Sequence, residues 1–134
     1  MTPVTLLGSA LAAVLLASGV AVPADGVTTS AYGRTHADDG RLRDGCHNYR
    51  YRYVVDAPTH DWTLETFLVD PHGDTLASGA FLSDSDPERG SATFRFCRYS
   101  TRAGKFTIRA KIHWYNGSEE HKAFFKPSHF RLRR

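Results

Sequence analysis

No charged residue precedes Asp25, and the chain contains only two cysteines, Cys46 and Cys97. Because no Lys or Arg stands near the start, the basic segment that usually opens an export signal is missing. The wide spacing of the cysteines excludes a Cys-x-x-Cys redox or metal motif. The sequences Gly-x-Ser-x-Gly and His-Glu-x-x-His are also absent, so none of these common catalytic signatures is present.

The first segment is instead almost wholly apolar. Residues 4–17 consist nearly entirely of Val, Leu, Ala, Gly and Ser, and they lead to the small-residue exit Val22-Pro23-Ala24. This pattern predicts an export signal over residues 1–24 and a secreted, extracellular protein. The alternative is a retained membrane anchor through residues 4–22, because this stretch approaches spanning length. The many small residues and the missing basic stop-transfer cluster favour cleavage.

All of the formal charge lies in residues 25–134. The 17 Lys and Arg residues and the 14 Asp and Glu residues give this part a net charge of +3. That balance is far from the charge density of a dedicated nucleic-acid binder, and the length suffices for one domain with one core. Ala, Arg, Asp and Gly are abundant whereas Lys and Ile are scarce, a composition typical of bacteria with GC-rich DNA.

Strand patterns begin only after residue 45. Residues 25–45 contain four glycines and little apolar periodicity, so we interpret them as a flexible leader with at most one edge strand near residues 27–32. From Asn48 onward apolar and polar residues alternate, most clearly over Lys105–Tyr115. The alternation predicts six strands, over residues 48–55, 62–69, 75–82, 91–98, 105–115 and 121–134. The expected fold class is all-β: an antiparallel β-sandwich of six to seven strands over residues 46–134, immunoglobulin-like or jelly-roll-like.

The alternating direction of successive strands places Cys46 and Cys97 at the same end of this sandwich. Export provides an oxidising compartment, and a disulfide needs Cα atoms within about 7 Å, so we expect a structural bridge. Such a bridge encloses about 50 residues and contributes roughly 4 kcal/mol by its effect on chain entropy. The same argument sends loops 70–74 and 99–104 to the cysteine end, and loops 57–61, 83–90 and 116–120 to the opposite end.

One polar loop offers a candidate calcium site. Asp84, Asp86 and Glu88 stand two residues apart, and a loop that wraps Ca²⁺ brings alternate carboxylates together as oxygen ligands. The sequence predicts no cofactor, and calcium is the alternative. The match is incomplete, since no Gly follows Glu88 directly and Pro87 stiffens the loop. A solvated acidic loop is therefore the favoured interpretation.

Two His–Asp groupings offer acid–base chemistry, but they flank opposite ends of one predicted strand. His60 and Asp61 precede that strand, and Asp70 and His72 follow it. At about 3.3 Å per residue, the strand separates the two groupings by about 30 Å. They cannot share a catalytic site, so the sequence favours a non-catalytic protein over an enzyme.

Basic side chains alternate with apolar ones on three of the predicted strands. The ligand-binding candidates are Arg50, Arg52, Arg109 and Lys111, with Tyr115 as a stacking residue. The same strands also carry Lys105, Arg131 and Arg133. Should these strands be neighbours, their cations would form one wall suited to an anionic polymer. Ordinary surface solvation and protection of strand edges are the alternative, and they are the favoured interpretation.

Two motifs between residues 62 and 114 carry a family resemblance. They are Phe67-Leu68-Val69-Asp70-Pro71-His72-Gly73-Asp74-Thr75-Leu76-Ala77 and Ala103-Gly104-Lys105-Phe106-Thr107-Ile108-Arg109. Together they resemble the bacterial pre-peptidase C-terminal domains, which are β-sandwich appendages of secreted enzymes. The resemblance implies a β-sandwich fold and a role in export or substrate contact. The chain departs from that pattern in its pair of cysteines.

These features together predict a small, secreted, non-catalytic binding or envelope-associated module that is a monomer. Its expected partners are an anionic cell-envelope polymer, a polysaccharide or a secreted protein, and no specific nucleic acid. The alternatives are a small secreted hydrolase with a non-standard site and a proteinaceous inhibitor of secreted hydrolases, since a rigid disulfide-bonded sandwich displays loops well.

Overall fold

A computed structural model describes residues 27–134 of the chain. The predicted export signal over residues 1–24, and the alternative anchor through residues 4–22, lie outside the described residues. The described part contains no α-helix and one turn of 3₁₀-helix at Arg98–Ser100. No helix among residues 27–134 is long and apolar enough to cross a membrane.

Ten β-strands make up most of the described part. They are β1 (Val27–Thr29), β2 (Gly33–His36), β3 (Gly40–Arg41), β4 (Cys46–Val55), β5 (Trp62–Val69), β6 (Thr75–Leu82), β7 (Arg89–Cys97), β8 (Gly104–Asn116), β9 (Glu119–Phe125) and β10 (Ser128–Arg133). Three of them form a small sheet and seven form a large sheet. Residues 27–134 are therefore all-β, as the alternation predicts.

The small sheet has β4 at its centre, with β2 on one edge and β7 on the other. Both pairings are antiparallel. In β4 the residue type alternates, so that Tyr49, Tyr51 and Tyr53 are buried while Arg50 and Arg52 are exposed. The two faces of this sheet therefore differ sharply: one is aromatic and faces the core, and the other is polar and faces solvent.

The large sheet is organised around β8, its longest strand. Strand β5 lies along one side of β8 and carries β6 on its own far side, with both pairings antiparallel. On the other side of β8, β10 pairs with the first half and β9 with the second half. Two short parallel pairings complete the sheet, β1 with β9 and β3 with β10.

Both sheets contribute to one hydrophobic core, an arrangement consistent with a β-sandwich. Tyr51 and Phe94 of the small sheet stack with ring centroids 4.0 Å apart. Leu64 and Ile108 of the large sheet are fully buried. The hydroxyl oxygens of Tyr51 and Thr66 lie 2.8 Å apart, so one hydrogen bond joins the two sheets and satisfies both buried hydroxyls.

The strand count and the strand directions differ from the prediction of six to seven antiparallel strands. Pro127, which has no N–H for a β-ladder, interrupts the strand predicted over residues 121–134 and separates β9 from β10. Residues 27–41, part of the segment interpreted as a flexible leader, hold three further strands. Two of those, β1 and β3, run parallel to their partners. These strands are too short for an alternating pattern to show in the sequence. Their stability comes from pairing with distant strands.

Gly33 marks the point where the chain crosses from the large sheet to the small sheet. Its φ is +145°, and a Cβ atom there would lie 2.2 Å from the carbonyl oxygen of Val54 and 2.4 Å from the ring of Phe125. No side chain fits that space. The glycine therefore allows β2 to pair with β4, which places Arg34 and His36 on the solvent side of the small sheet.

Cys46 and Cys97 form a disulfide, as predicted from their common end of the sandwich. The described part contains no free cysteine. Beyond the bridge, the backbone N–H of Arg98 donates a hydrogen bond to the carbonyl of Gly45 and continues the contact between the two segments. The disulfide is compatible with an extracellular location.

Contacts between loops confirm the predicted placement of the turns. At the cysteine end, the hydroxyl of Thr101 donates a hydrogen bond of 2.9 Å to the carboxylate of Asp70. At the opposite end, Nδ1 of His60 in loop 57–61 lies 3.4 Å from a carboxylate oxygen of Glu88 in loop 83–90. Loops predicted to share an end therefore touch.

Candidate functional site

The outer face of the small sheet is strongly basic. Alternation turns every second residue of β2, β4 and β7 toward solvent. Five of these exposed side chains are arginines and one is a histidine. We call this surface the arginine face; its members are Arg34, His36, Arg50, Arg52, Arg89 and Arg95. None of the three strands contains an Asp or a Glu, so the strands supply no negative charge to this face.

Strand pairing arranges the arginine face in four rows across the small sheet. Arg34 and Arg89 share the first row, and Arg52, Arg50 and Arg95 belong to the second, third and fourth rows. Successive rows are about 7 Å apart, because alternate residues of a strand repeat at twice the rise per residue. The face is therefore a strip about 20 Å long with an arginine in every row.

Asp38, just beyond β2, is the one carboxylate among residues 27–134 within 4.0 Å of a nitrogen of the arginine face. Its Oδ1 atom lies 2.8 Å from His36 Nε2 and 3.9 Å from a guanidinium nitrogen of Arg52. The hydrogen bond with His36 lowers the pKa of Asp38; desolvation opposes this effect, and the charges of Arg52 and Arg50 reinforce it. The arginine face thus has five guanidinium groups and only one carboxylate, Asp38, within 4.0 Å of any of its nitrogens among residues 27–134, so positive charge is in large excess.

Two open grooves lie along this surface. One has a volume of about 500 Å³ and is lined by Arg34, Arg52 and Arg89. The other, of about 490 Å³, lies where the small sheet meets β3 and β10, and the further arginines Arg41 and Arg43 line it. Because neither groove is enclosed, both suit a chain that lies across the surface better than a small molecule that needs a deep cavity.

The ligand-binding residues that the sequence predicts lie on two different sheets. Arg50 and Arg52 lie on β4 and belong to the arginine face. Arg109 and Lys111 lie on β8, on the outer face of the large sheet, and Tyr115 lies near the β8–β9 turn. The hydrophobic core separates the two outer faces. The condition for a single cationic wall, that β4 should neighbour β8, is therefore not met.

The outer face of the large sheet carries carboxylates as well as cations on its strands. Both predicted cations of β8 lie over the ring of Phe124, at 5.4 and 5.6 Å from its centroid. Beside them, His113 lies 3.6 Å from a carboxylate oxygen of Glu65 and 3.0 Å from one of Glu120. The hydrogen bond with His113 lowers the pKa of Glu120. Unlike the arginine face, this face therefore has carboxylates on its own strands, and Glu120 also lies 3.8 Å from Lys122 Nζ.

Sequence reasoning misses three of the five arginines of the arginine face. Arg95 stands between Phe94 and Phe96, so strict use of the period of two would have placed it on a solvent face. Arg89 begins β7 within a stretch that has the composition of a polar loop. Arg34 belongs to a strand of four residues, which is too short for a period to show. Only the pairing of β2 and β7 with β4 brings these residues together.

The candidate calcium ligands do not converge. The Oδ2 atom of Asp86 accepts a hydrogen bond of 2.8 Å from the backbone N–H of Leu82, and a carboxylate oxygen of Glu88 lies 3.4 Å from His60 Nδ1. In the part of the chain that the structure describes, Asp84, Asp86 and Glu88 do not form a group with ligand atoms within 4.8 Å of one another. The calcium prediction therefore has no support in the geometry of this loop.

Asp70, His72 and Asp74 do have potential metal-ligand atoms within 4.8 Å of one another. The side chain of Asp70 is 1% exposed and accepts hydrogen bonds from the backbone N–H groups of His72 (2.9 Å) and Asp74 (3.0 Å) and from the Thr101 hydroxyl. Burial raises the pKa of Asp70, but these hydrogen bonds outweigh burial and hold the pKa below its ordinary value. These hydrogen bonds explain why the three side chains lie close together. Asp70 stabilises the turn at residues 70–74 and joins it to the loop that contains Thr101.

Comparison with known proteins adds no relative from which a function could be transferred. No protein-family model matches the chain, and no curated protein matches it in sequence. The resemblance of residues 62–114 to pre-peptidase C-terminal domains stays a prediction. The arginine face is thus identified by its geometry and charge alone.

Proposed function

We propose that the protein is a secreted, non-catalytic binding module whose arginine face binds an anionic polymer of the cell envelope or its surroundings. The observation that carries this proposal is the set of five arginines on one face of a sheet whose strands contain no Asp or Glu. The disulfide supports an extracellular location for the module. The proposed frame is a β-sandwich of immunoglobulin-like or jelly-roll-like type.

Electrostatic repulsion among the guanidinium groups of the arginine face favours the binding of anions. Among residues 27–134, no carboxylate lies within 4.0 Å of the guanidinium groups of Arg34, Arg50, Arg89 and Arg95. Like charges collected on one side of a compact domain repel one another and raise the local positive potential. A ligand with several negative charges removes that repulsion. Binding is therefore favoured by the arrangement of the whole face and not by one ion pair.

The use of arginine on this face also favours oxyanions. All basic residues of the small sheet other than histidine are arginines. The four lysines of the chain lie outside this sheet, at positions 105, 111, 122 and 126. A guanidinium group presents a planar fork of donors that matches carboxylate, sulfate or phosphate oxygens two at a time, whereas an ammonium group acts as a point charge.

The shape of the face favours a polymer over a small ligand. Each exposed ion pair contributes little free energy by itself, typically about 0–1 kcal/mol. A strip about 20 Å long can, however, contact successive charged groups of one extended chain. The resemblance to pre-peptidase C-terminal domains supports the same role, because those domains are associated with export or substrate contact. No specific observation favours the hydrolase or the inhibitor alternative.

Retention on immobilised anionic polymers tests the proposal. The wild-type protein should bind resins that carry a sulfated, phosphorylated or carboxylated polymer, and salt should elute it, because mobile ions screen the contacts. The variant Arg50→Gln/Arg52→Gln should elute at lower salt. If each arginine makes one contact, the slope of log K against log salt concentration should fall by about 2, or about 1 per lost cation.

The matched control is Arg109→Gln/Lys111→Gln, which removes the same number of charges from the outer face of the large sheet. Its retention should stay close to that of the wild type, apart from the small effect of a lower net charge. Equal losses in the two variants would show that binding follows net charge and that the arginine face has no special role. Absence of retention of the wild type on every resin would contradict the proposed function.

A further inference from the structure

Three arginines from three different strands surround one point of the arginine face. Arg34 on β2 and Arg89 on β7 flank Val54 on the central strand, because both residues pair with Val54 in the sheet register. Arg52 lies two residues before Val54 on the same face of β4. All three arginines line one groove of about 500 Å³, and Val54 forms part of its lining.

We propose that this groove is a subsite for a tetrahedral oxyanion, a phosphate or sulfate group carried by the polymer. The inference rests on the proposed function, which it makes more specific by naming the charged group. The groove defined by Arg34, Arg52 and Arg89 selects such groups over carboxylates. The remaining arginines of the face contact the polymer on either side without this selectivity.

The number of donors facing the groove explains the selectivity. A carboxylate has two oxygens in one plane, so a single guanidinium fork is enough to satisfy it. A phosphate or sulfate monoester, carried as a side group of the polymer, has three terminal oxygens that point in different directions. Arginines on the two edge strands and on the central strand approach from different sides, which suits three oxygens better than two. Each additional charge-assisted hydrogen bond adds to the difference in affinity.

The surroundings of the groove leave its charge available. Asp38 approaches Arg52 only at 3.9 Å, and its short hydrogen bond is with His36. In the described part of the chain, Arg34 and Arg89 have no carboxylate within 4.0 Å. Two of the three guanidinium groups therefore lack a protein counter-ion, and the third has a weak one. An anion that reaches all three neutralises the most concentrated positive charge on the face.

Titration of the full mature protein with free anions tests the subsite. NMR spectra of the arginine side-chain N–H groups are recorded with inorganic phosphate, sulfate or acetate at equal pH and ionic strength. Phosphate or sulfate should shift the signals of Arg34, Arg52 and Arg89 in a saturable way. Acetate should need about tenfold higher concentration for the same shift, which corresponds to one additional good contact.

Variants localise the effect. Arg34→Gln/Arg89→Gln should abolish the preference for phosphate or sulfate over acetate, whereas Arg95→Gln, on the same face but outside the groove, should keep it. All of these positions are exposed, so thermal melts should confirm that the variants stay folded. A preference for phosphate alone assigns the subsite to phosphate groups, and a preference for sulfate alone assigns it to sulfate groups; retention on the matching polymer resin then shows whether a polymer carries the group. Equal responses to acetate would overturn the subsite.

The outcome separates this inference from the proposed function. Retention of the protein on anionic resins without any preference among the three anions would overturn the subsite and leave the binding module intact. Saturable binding of phosphate without retention on any polymer resin would overturn the proposed function and leave the anion site intact. A free anion, and not a polymer, would then be the ligand of the groove.

Discussion

Cys46 and Cys97 lie directly opposite each other as the last residue pair of the β4–β7 ladder, and a disulfide joins them. The two residues are 51 positions apart in the sequence. The strands they join carry four of the five arginines of the arginine face. Because no hairpin connects β4 to β7, their pairing must close a long loop, and a covalent link reduces the entropy that this closure costs.

Replacing both cysteines, as Cys46→Ala/Cys97→Ala, should lower the free energy of unfolding by about 4 kcal/mol, because the unfolded chain regains the freedom of a loop of about 50 residues. Urea denaturation followed by tryptophan fluorescence measures the change, since Trp62 is buried in the folded protein. Wild-type protein with reduced and blocked thiols is the comparison. Equal urea midpoints for the variant and the oxidised wild type would show that the bridge does not stabilise the fold.

Gly33→Ala should lower the free energy of unfolding by more than about 2 kcal/mol, because the new Cβ atom meets the Val54 carbonyl and the Phe125 ring at a positive φ. Gly117→Ala is the matched control: its φ is +62° and no atom lies within 4 Å of a Cβ there. It adds a Cβ atom at a positive φ without the crowding. Thermal melts of the two variants measure the difference, and equal losses would contradict the crowding at Gly33.

Asp70 should make stability depend on pH in the acid range. Its pKa is lowered in the folded protein, from an unfolded value of about 3.9. The stabilisation is therefore complete above about pH 4 and is lost as pH falls through the folded pKa. At neutral pH, Asp70→Asn should cost about 1–3 kcal/mol, because donors of this turn lose a charged acceptor. The difference from wild type should shrink on acidification below pH 4.

Urea midpoints of wild type and Asp70→Asn, measured from pH 7 to pH 2, check this prediction. Asp61→Asn is a suitable control because Asp61 is exposed, lies at the opposite end, and its carboxylate accepts no hydrogen bond from the described residues. It should follow the wild-type curve. A constant difference between wild type and Asp70→Asn across the whole range would mean that the charge of this carboxylate does not stabilise the turn.

Asp86 and Asp84 should respond differently to substitution, although the sequence makes them equivalent calcium candidates. Asp86→Ala removes the hydrogen bond to the Leu82 N–H and should cost about 1 kcal/mol. Asp84 is exposed, and Asp84→Ala should stay within about 0.5 kcal/mol of wild type. Thermal melts with and without added calcium measure both effects. A rise in melting temperature with calcium that both variants abolish would restore the calcium site.

Much of the fold follows from local pattern. The alternation over residues 105–115 identifies β8 and its two faces, and Phe106, Ile108 and Trp114 are indeed buried. The turn at residues 70–74 and the reversal of successive strands predict which loops share an end, and the contact of Thr101 with Asp70 confirms it. These features depend on neighbours in sequence, so a single sequence reveals them.

The candidate site is harder to predict because its members come from distant segments. Arg34 lies on β2, a strand of only four residues. This strand can pair with β4 because the chain crosses between the sheets at Gly33. Arg109 shows the opposite case: its strand pattern is clear, but its sheet is not the one that contains Arg50. Alternation determines which side of a strand is polar, and it contains no information about which strands are neighbours.

The sequence by itself determined that the described part of this protein is all-β, that Cys46 pairs with Cys97, and which residues of β4 and β8 face solvent. These properties follow from the period of the pleated strand and from chain reversal at turns. Only the tertiary structure decided that β4 lies between β2 and β7, and thus that Arg50 and Arg52 join Arg34 and Arg89 on one face. Strand neighbours are chosen by packing across the core and by long-range pairing, which depend on the whole chain at once.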